Sequence, residues 1–187
     1  MRKIVYYVAS SLDGYICGLN EDISGFVGEG SGVNRYLEDL KDYDTVMMGR
    51  NTYEFGYRYG LKPGEPAYPH MTHFIFSDSL TFESAHKNVM VVPLKIEEVL
   101  KLKQQNGSDI YLCGGGQFAG WLFDHDMIDV LKVKLNPLIL GKGVRIFGSS
   151  TKESRMTLVD TESYDHGLQI MTYELRVGKS GARGKKV

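Results

Sequence analysis

The segment that decides the fold is DIYLCGGGQFA, residues 109–119, which predicts a strand, three glycines and a helix in immediate succession. We expect the strand at Asp109–Cys113 and the helix at Gln117–Phe123. Glycine tolerates positive φ and close backbone approach, and the first turn of a helix presents free N–H groups that attract anions. The turn therefore predicts either a phosphate cradle or close packing of strand on helix, and it consists of Gly114, Gly115 and Gly116.

Alternating strands and helices precede this turn along the chain. The predicted strands are Lys3–Ser10, Thr45–Gly49, His73–Ser77 and Val89–Val92, and the predicted helices are residues 32–42, 50–55 and 96–105. Ser31 is the expected N-cap of the first helix, whose buried face is predicted to comprise Val33, Tyr36, Leu37 and Leu40. Such alternation is typical of a mainly parallel sheet with helices on both faces.

The last third of the chain has a different pattern. Strand-like segments at Ile128–Asn136, Val144–Phe147 and Leu168–Leu175 follow one another without a strong helix between them. We therefore expect antiparallel strands to complete the sheet. Because the composition does not change before residue 178, we predict one α/β domain over residues 1–177 and a basic, frayed tail over residues 178–187.

Composition and charge favour a cytoplasmic protein without a bias towards nucleic acid or membranes. Residues 1–177 hold 18 basic and 23 acidic side chains, which gives this part no bias towards nucleic acid. No apolar segment approaches the length of a membrane span, and the N-terminal run IVYYVA is too short for the core of a signal peptide. Cys17 and Cys113 are too few for a disulfide framework and favour a reducing compartment.

A second strand-to-helix junction, VMMGRNTYE over residues 46–54, also suits an anion. Arg50 can hold a phosphate with two parallel hydrogen bonds, and Thr52 adds a hydroxyl nearby. The alternative is a surface ion pair between Arg50 and Glu54, which are four residues apart on the predicted helix. Two such junctions in one parallel sheet meet at its carboxyl edge, where folds of this class bind ligands.

Three segments, taken in order, resemble the dihydrofolate reductase-like superfamily, in particular the RibD C-terminal domain, the reductase of riboflavin biosynthesis. SLDGYI at residues 11–16 looks like the family's first strand and mobile loop, and VMMGRNTYE resembles its phosphate turn. IYLCGGGQFAGWLF and IDVLKVKLNPLILGKGVRIF resemble the riboflavin-reductase C-terminal half. The resemblance covers residues 3–176 and implies a three-layer dihydrofolate reductase-like fold in a stand-alone homodimeric reductase.

The resemblance also implies that NADPH, or alternatively NADH, binds along the carboxyl edge of the sheet. The residues it assigns to the phosphates are Gly49, Arg50 and Thr52, and those on the pyrophosphate are Gly114, Gly115, Gly116 and Gln117. Ala9 and Ile16 are implied to lie beside the nicotinamide, and Ser77 to meet the adenosine ribose or its 2′-phosphate. The neighbouring Asp78 would repel a 2′-phosphate, so the preference between the two cofactors stays open.

On the substrate side the chain departs from both kinds of relative. Val33 stands where dihydrofolate reductases have their pterin-binding carboxylate, so we expect poor reduction of dihydrofolate or none. The Asp-Pro segment that leads riboflavin reductases to a phosphate-binding Arg is replaced here by a Tyr-, Gly- and Pro-rich loop, Gly56–Pro69. The zinc-binding deaminase half that often accompanies these reductases needs a Pro-Cys-x-x-Cys motif, which two isolated cysteines exclude. The candidate substrate contacts are Tyr7, Val33 and Lys134.

A hydride-transfer site needs no protein nucleophile or metal, because the cofactor carries the reactive group. The candidate proton donor is Asp13, which precedes a glycine and has the alternative role of forming a turn. The five histidines show no paired ligand spacing, so no metal site is predicted. Tyr53, Tyr57 and Tyr59 could stack on a heterocycle or pack on the body, and the loop that follows them could be a lid.

Three hypotheses follow from the sequence. The first is an NAD(P)H-dependent reductase of a small pyrimidine or pterin-like heterocycle, resembling 5-amino-6-(5-phosphoribosylamino)uracil reductase. The second is a non-catalytic nucleotide-binding or sensor protein on the same fold, and the third is an α/β protein that binds some other phosphate. Cofactor binding and turnover distinguish the three.

Overall fold

An eight-stranded sheet forms the centre of the computed structural model, which describes residues 1–175. The strands are β1 (Ile4–Ser11), β2 (Tyr15–Cys17), β3 (Thr45–Gly49), β4 (Thr72–Phe76), β5 (Val89–Val92), β6 (Ile110–Gly114), β7 (Val130–Asn136), β8 (Val144–Arg145), β9 (Met156–Ser163) and β10 (Gln169–Leu175). The helices are α1 (Ser31–Asp39), α2 (Arg50–Phe55), α3 (Ile96–Gln104) and α4 (Gly116–Asp124). The predicted tail over residues 178–187 lies outside the described residues.

The strand order across the sheet is β5-β4-β3-β6-β1-β7-β10-β9. The pairs from β5 to β7 are parallel, whereas β10 runs antiparallel to both β7 and β9. This topology confirms the predicted α/β fold, with its mainly parallel centre and antiparallel C-terminal strands. The carboxyl ends of β1, β3 and β6 are therefore adjacent at one edge of the sheet.

Two apolar cores lie on opposite faces of the sheet, because side chains along each strand alternate between the faces. In β1, Ile4 and Tyr6 pack into the core that also contains residues of α3 and α4. Val5 and Tyr7 pack into the opposite core, against which Tyr36 of α1 also packs. The parallel strands are covered on both faces, as their nearly continuous apolar sequences predict.

The first helix differs from its prediction at both ends. α1 begins at Ser31 itself, and the N-cap position is Gly30. The carboxylate of Asp165 accepts hydrogen bonds from the Ser31 backbone N–H, at 2.9 Å, and from its hydroxyl, at 2.6 Å. The predicted helix continues past Asp39 only as a single 3₁₀ turn, and Leu37 is 53% exposed rather than buried. A carboxylate from a distant segment thus caps the helix, which no local pattern reveals.

Two strands near the C-terminus also differ from expectation. The predicted strand Val144–Phe147 is reduced to β8, which pairs with β2 outside the main sheet. Strand β9 was not predicted from the sequence, and its residues are nearly all exposed. An edge strand with no buried face has no apolar alternation, so periodicity could not detect it.

The loop Gly56–Pro69 packs on the body of the protein. The buried Tyr53 donates a hydrogen bond from its hydroxyl to the Glu65 carbonyl, at 2.7 Å, and the Gly64 carbonyl accepts the His86 N–H. Tyr57 packs edge-on against Tyr53, whereas Tyr59 is exposed. The aromatic cluster is therefore mainly a packing device. None of the helices within residues 1–175 is both long enough and apolar enough to cross a membrane.

Candidate active site

A cleft of about 520 Å³ opens where the carboxyl ends of β1, β3 and β6 meet. Its walls are mainly apolar and come from these strand ends, β2, α2 and α4. Eight of the predicted cofactor-binding residues line it, namely Ala9, Ile16, Gly49, Arg50, Thr52, Gly115, Gly116 and Gln117. Gly114 is buried directly behind the lining, and Ser77 follows Phe76, which belongs to the lining. The fold thus brings three distant segments to one cavity.

The glycines of the β6–α4 turn have different roles. A Cβ atom on Gly116 would lie 2.1 Å from the Arg145 carbonyl oxygen, so this glycine permits close packing. A Cβ atom on Gly115 would lie 2.8 Å from Oγ1 of Thr52, inside the cleft. Gly114 has φ +127°, which favours glycine. Gly116 therefore serves close packing, and Gly115 allows the backbone to approach the side chain of Thr52 at the cleft.

The amino end of α4 points its free backbone donors at the cleft. The first intrahelical bond is donated by the Ala119 N–H to the Gly115 carbonyl, at 2.9 Å. The N–H groups of the three preceding residues, Gly116, Gln117 and Phe118, have no backbone acceptor within residues 1–175. Gly116 and Gln117 line the cleft, so this end of the helix can receive an anion.

Arg50 forms the predicted ion pair with Glu54 at the rim of the cleft. Its Nε donates to Oε1 of Glu54 at 2.9 Å, and Nη1 donates to Oγ of Ser79 at 3.1 Å. The side chain is 44% exposed, and Nη2 has no protein acceptor in the described part of the chain. The ion pair holds the guanidinium at the rim of the cleft and leaves a donor for a ligand.

Ser77 and Asp78 form the turn after β4, beside the cleft. Oγ of Ser77 accepts the N–H groups of Ser79, at 3.2 Å, and Leu80, at 3.0 Å. Oδ1 of Asp78 accepts the N–H of Leu94, a lining residue, at 3.1 Å. Ser79, which sequence reasoning missed, is the serine that contacts Arg50.

An aromatic wall occupies one end of the cleft. The rings of Phe76 and Phe118 stack at 4.8 Å between centroids, and those of Phe118 and Trp121 stack at 5.9 Å. The helical spacing of Phe118 and Trp121 predicts that they turn inward, but it does not show that they face a cavity. Sequence reasoning also missed other apolar lining residues, including Ile23, Phe55, Leu94 and Val144.

Asp13, the candidate proton donor, is exposed and does not line the cleft. Its carboxylate accepts hydrogen bonds from the Ser11 hydroxyl at 2.7 Å and from the N–H groups of Leu140 at 3.1 Å and Gly141 at 2.7 Å. These bonds, that from Ser11 above all, lower the pKa of Asp13 to about 2. A carboxyl group with this pKa carries no proton at neutral pH, so the geometry favours the turn-forming role.

None of the three candidate substrate contacts lines the cleft. Tyr7 is buried, and its hydroxyl donates to Oδ2 of Asp39 at 3.1 Å. That carboxylate also receives the ammonium of Lys132 and the guanidinium of Arg35, and burial raises the pKa of the Tyr7 phenol. Val33 lies in the first turn of α1, outside the lining. Tyr7 thus belongs to an internal polar network.

Lys134, the third candidate, lies next to the cleft on the face covered by α1. It is directly opposite Ala9 in the β1–β7 register, and its ammonium is 5.0 Å from the centre of the Tyr36 ring. Only 9% of the residue is exposed, and burial lowers the pKa of the amine. Lys134 thus lies opposite a lining residue on the neighbouring strand without lining the cleft itself.

A tyrosine cluster, Tyr36, Tyr68 and Tyr111, lies on the same face and escaped sequence reasoning. The hydroxyls of Tyr36 and Tyr111 are 2.7 Å apart, and that of Tyr68 is 3.6 Å from Sγ of Cys113. Cys113 lines the cleft, so the cluster adjoins it. Burial raises the pKa of Tyr36 to about 12 and keeps these phenols protonated at neutral pH.

The loop after α2 touches the cleft through one ion pair. Nη2 of Arg58 lies 2.7 Å from Oε2 of Glu21, which belongs to the lining, and Nη1 donates to the Asn20 carbonyl at 3.2 Å. These contacts tie the loop to the segment after β2. Within residues 1–175, no three His, Cys, Asp or Glu side chains come close enough to hold a metal ion.

Known proteins are similar to this chain in sequence or in fold. The "Uncharacterized protein YwjB" of Bacillus subtilis (strain 168) is 30% identical over 175 residues, which span 90% of this chain and 96% of YwjB. A Shewanella sp. PV-4 structure, assigned provisionally to riboflavin biosynthesis, has a TM-score of 0.77 at 22% identity, covering 94% of this chain and 99% of its own.

Two further solved structures share the fold at lower similarity. The diaminohydroxyphosphoribosylaminopyrimidine deaminase/5-amino-6-(5-phosphoribosylamino)uracil reductase of Thermotoga maritima has a TM-score of 0.68 at 17% identity, covering 94% of this chain and 57% of its own. The dihydrofolate reductase of Enterococcus faecalis, complexed with NADP(H) and RAB-propyl, has a TM-score of 0.59 at 17% identity, covering 92% and 96%. These likenesses confirm the dihydrofolate reductase-like fold.

The family comparison agrees with the residues that carry the resemblance. The model of the RibD C-terminal domain matches residues 2–170, which include all three cleft-forming segments. The family and its structural neighbours are reductases, which supports an oxidoreductase in general terms. The chain therefore belongs to the RibD C-terminal domain family.

Proposed function

We propose that this protein is an NADPH-dependent reductase of a small pyrimidine or pterin-like heterocycle, with NADH as a possible substitute. The observation that carries the proposal is the convergence, on one cleft, of the open amino end of α4, the Arg50 guanidinium and an aromatic wall. A dinucleotide carries phosphates, which complement backbone donors and a cation, and a flat base, which complements stacked rings.

The donor set of the cleft fits such a cofactor. The backbone from Gly115 to Gln117 would hold the pyrophosphate, and Arg50 with Thr52 would hold the remaining phosphate oxygens. Ala9 and Ile16 would border the nicotinamide. Because Gly115 has no Cβ atom, its backbone stays accessible from the cleft beside Thr52. A reduced nicotinamide supplies a hydride, while the apolar walls of the cleft exclude water and fix the orientation of the two reactants.

The family membership supports this cofactor and this reaction class. The Enterococcus faecalis enzyme on the same fold is complexed with NADP(H), and the Thermotoga maritima protein is a uracil reductase by name. Val33 offers no carboxylate at the position where dihydrofolate reductases bind the pterin, so dihydrofolate should be a poor substrate. We therefore favour a substrate related to 5-amino-6-(5-phosphoribosylamino)uracil.

Fluorescence titration with NADPH and NADH, followed by a turnover assay, tests the proposal. We expect saturable binding of at least one cofactor, and its oxidation when a pyrimidine or pterin substrate is added. Binding without oxidation in the presence of any uracil, pterin or flavin precursor would favour a non-catalytic sensor. Failure to bind either cofactor would leave only a protein that binds some other phosphate.

We also propose a cytoplasmic homodimer. Edge strand β9 exposes Met156, Leu158 and Val159 together with its unpaired backbone groups, and pairing with a second subunit is one way to protect such an edge. Sedimentation equilibrium of the protein and of Leu158→Lys tests this assignment. A dimer that the substitution dissociates would support the edge as the interface, whereas a monomeric protein at micromolar concentration would contradict the dimer.

A further inference from the structure

We propose that Lys134 binds an anionic oxygen of the substrate, which makes an acidic, carbonyl-rich heterocycle the preferred substrate class. This inference rests on the proposed function for the identity of the neighbouring cofactor cleft. The geometry of Lys134 itself is independent of that function.

The Lys134 ammonium lies over the Tyr36 ring, 5.0 Å from its centre, and lacks a hydrogen-bonded or ionic partner in the described part of the chain. The residue is nine-tenths buried, yet its Nζ makes no hydrogen bond and no salt bridge within residues 1–175. The contrast with Lys132, two residues earlier on the same face, is informative, because the Lys132 ammonium pairs with Asp39. Burial of an unpaired cation costs free energy, and proteins rarely keep such a group without a use for it.

The Lys134 amine is not fully enclosed by the protein. Within the described part of the chain, every fully enclosed side-chain nitrogen or oxygen has a hydrogen-bond partner. Since the Lys134 amine has no such partner, it cannot be fully enclosed. Part of the amine surface therefore remains exposed, although the rest of the side chain is covered.

The position of Ala9 indicates the direction from which a ligand would reach the amine. Ala9 is the partner of Lys134 in the β1–β7 register, and it lines the cleft together with Cys113. Because the two residues are directly opposite each other on neighbouring strands, their side chains lie side by side on the same face of the sheet. A ring bound beside Ala9 at the nicotinamide end would thus lie within reach of Lys134 and the tyrosine cluster.

The chemistry of these neighbours selects the substrate. An ammonium donates hydrogen bonds and accepts none, and protonated phenols can donate them as well. Asp39, a carboxylate on this face, is already bound by Lys132, Arg35 and Tyr7. This environment favours carbonyl and ionised imide oxygens and disfavours the amidine groups that a carboxylate would bind.

Two pyrimidines of similar size and opposite character test the inference. Barbiturate is an anion with three carbonyl oxygens, and 2,4-diaminopyrimidine presents an amidine. Isothermal titration of the protein saturated with NADP⁺, repeated without cofactor, should show barbiturate binding at least about tenfold more tightly, the gain from one charge-assisted hydrogen bond. Equal affinities, a preference for 2,4-diaminopyrimidine, or binding of neither would overturn the proposal.

Substitutions of Lys134 test whether its ammonium causes the preference for barbiturate. Lys134→Met should weaken barbiturate binding by about tenfold or more, and Lys134→Arg should retain most of it. Lys101→Met is the matched control, because Lys101 is an exposed residue of α3 on the opposite face of the sheet. Unchanged barbiturate affinity in Lys134→Met would overturn the inference, provided that NADPH titration shows the variant to be folded.

A labelling experiment on the unmutated protein does not depend on the folding of any variant. Trinitrobenzenesulfonate modifies accessible amines, and peptide mass spectrometry reports each site. Barbiturate should protect Lys134 and leave Lys101 unprotected, whereas lack of protection at Lys134 would contradict the proposal. Because the titration without cofactor and the labelling need no NADPH, a failure of cofactor binding would refute the proposed function separately.

Discussion

At the scale of single residues, Arg50 shows how an ion pair can orient a side chain and leave one of its donors free. Its ion pair with Glu54 and its hydrogen bond to Ser79 use Nε and Nη1, and they hold the guanidinium at the cleft. Exposed ion pairs of this kind contribute little to stability. The value of the pair therefore lies in orientation of the remaining donor.

Arg50→Ala should weaken NADPH binding by about 1–3 kcal/mol, because one charge-assisted contact to a phosphate is lost. The free energy of unfolding should change little. Arg35→Ala is the matched control, since Arg35 is also half exposed (47% against 44%), forms an i, i+4 ion pair, and lies outside the cleft lining. Fluorescence titration of both variants checks this, and equal dissociation constants would remove Arg50 from the cofactor site.

Asp78 should influence the choice between NADPH and NADH. Its carboxylate lies in the turn beside the Arg50–Ser79 contact and accepts the Leu94 N–H. Asp78→Asn keeps an acceptor for that N–H and removes the charge, and Asp78→Arg reverses the charge. The ratio of the NADPH and NADH dissociation constants should move towards NADPH in both variants, and more in Asp78→Arg. An unchanged ratio would show that the 2′ position lies elsewhere.

At the scale of elements, the β6–α4 turn combines close packing at Gly116 with a cleft-lining backbone at Gly115. The sequence shows that three glycines connect a strand to a helix, but not which glycine has which role. The role of each depends on contacts with α2 and with the segment around Arg145, both distant in sequence. The predicted start of α1 was wrong for a similar reason, because the carboxylate that accepts the Ser31 N–H comes from the distant Asp165.

Alanine substitutions should separate the two roles. Gly116→Ala places a Cβ atom against a backbone oxygen that cannot move freely, and should cost about 1–3 kcal/mol of stability. Gly115→Ala meets only Oγ1 of Thr52, which can rotate, so stability should change little while cofactor affinity falls. Thermal unfolding and NADPH titration of both variants measure this, and equal losses of stability would contradict it.

At the scale of the whole molecule, the buried His73 links stability to pH. Its Nδ1 lies 3.2 Å from the Met71 carbonyl, and its Nε2 accepts the Tyr68 N–H at 3.1 Å. These contacts fit the neutral ring, since a protonated Nε2 would oppose another donor. Burial lowers the pKa of His73 to about 4.

The free energy of unfolding should fall as the pH drops from about 6.5 to about 4, because only the unfolded chain binds the proton there. The loss should reach about 3 kcal/mol, and stability should be independent of His73 above about pH 7. Urea unfolding between pH 7.5 and 4.5 measures it. His73→Gln should remove the slope and His125→Gln, at an exposed site, should keep it. Carboxylates such as Asp13, whose pKa is about 2, become protonated in the folded protein only at lower pH.

The sequence by itself determined the parallel βα framework and the edge of the sheet at which the cleft opens. Strand and helix periods, glycine turns and the edge to which parallel strands deliver their ends are all encoded locally, so the glycine turn and Arg50 could be placed at one edge in advance, and the family resemblance added Ala9. Only the tertiary structure showed which side chains surround Lys134. Tyr36, Tyr68, Cys113 and Lys134 come from four separate segments, and their proximity depends on how α1 packs across the sheet. No spacing along the chain records such a contact, because it arises from the packing of distant elements.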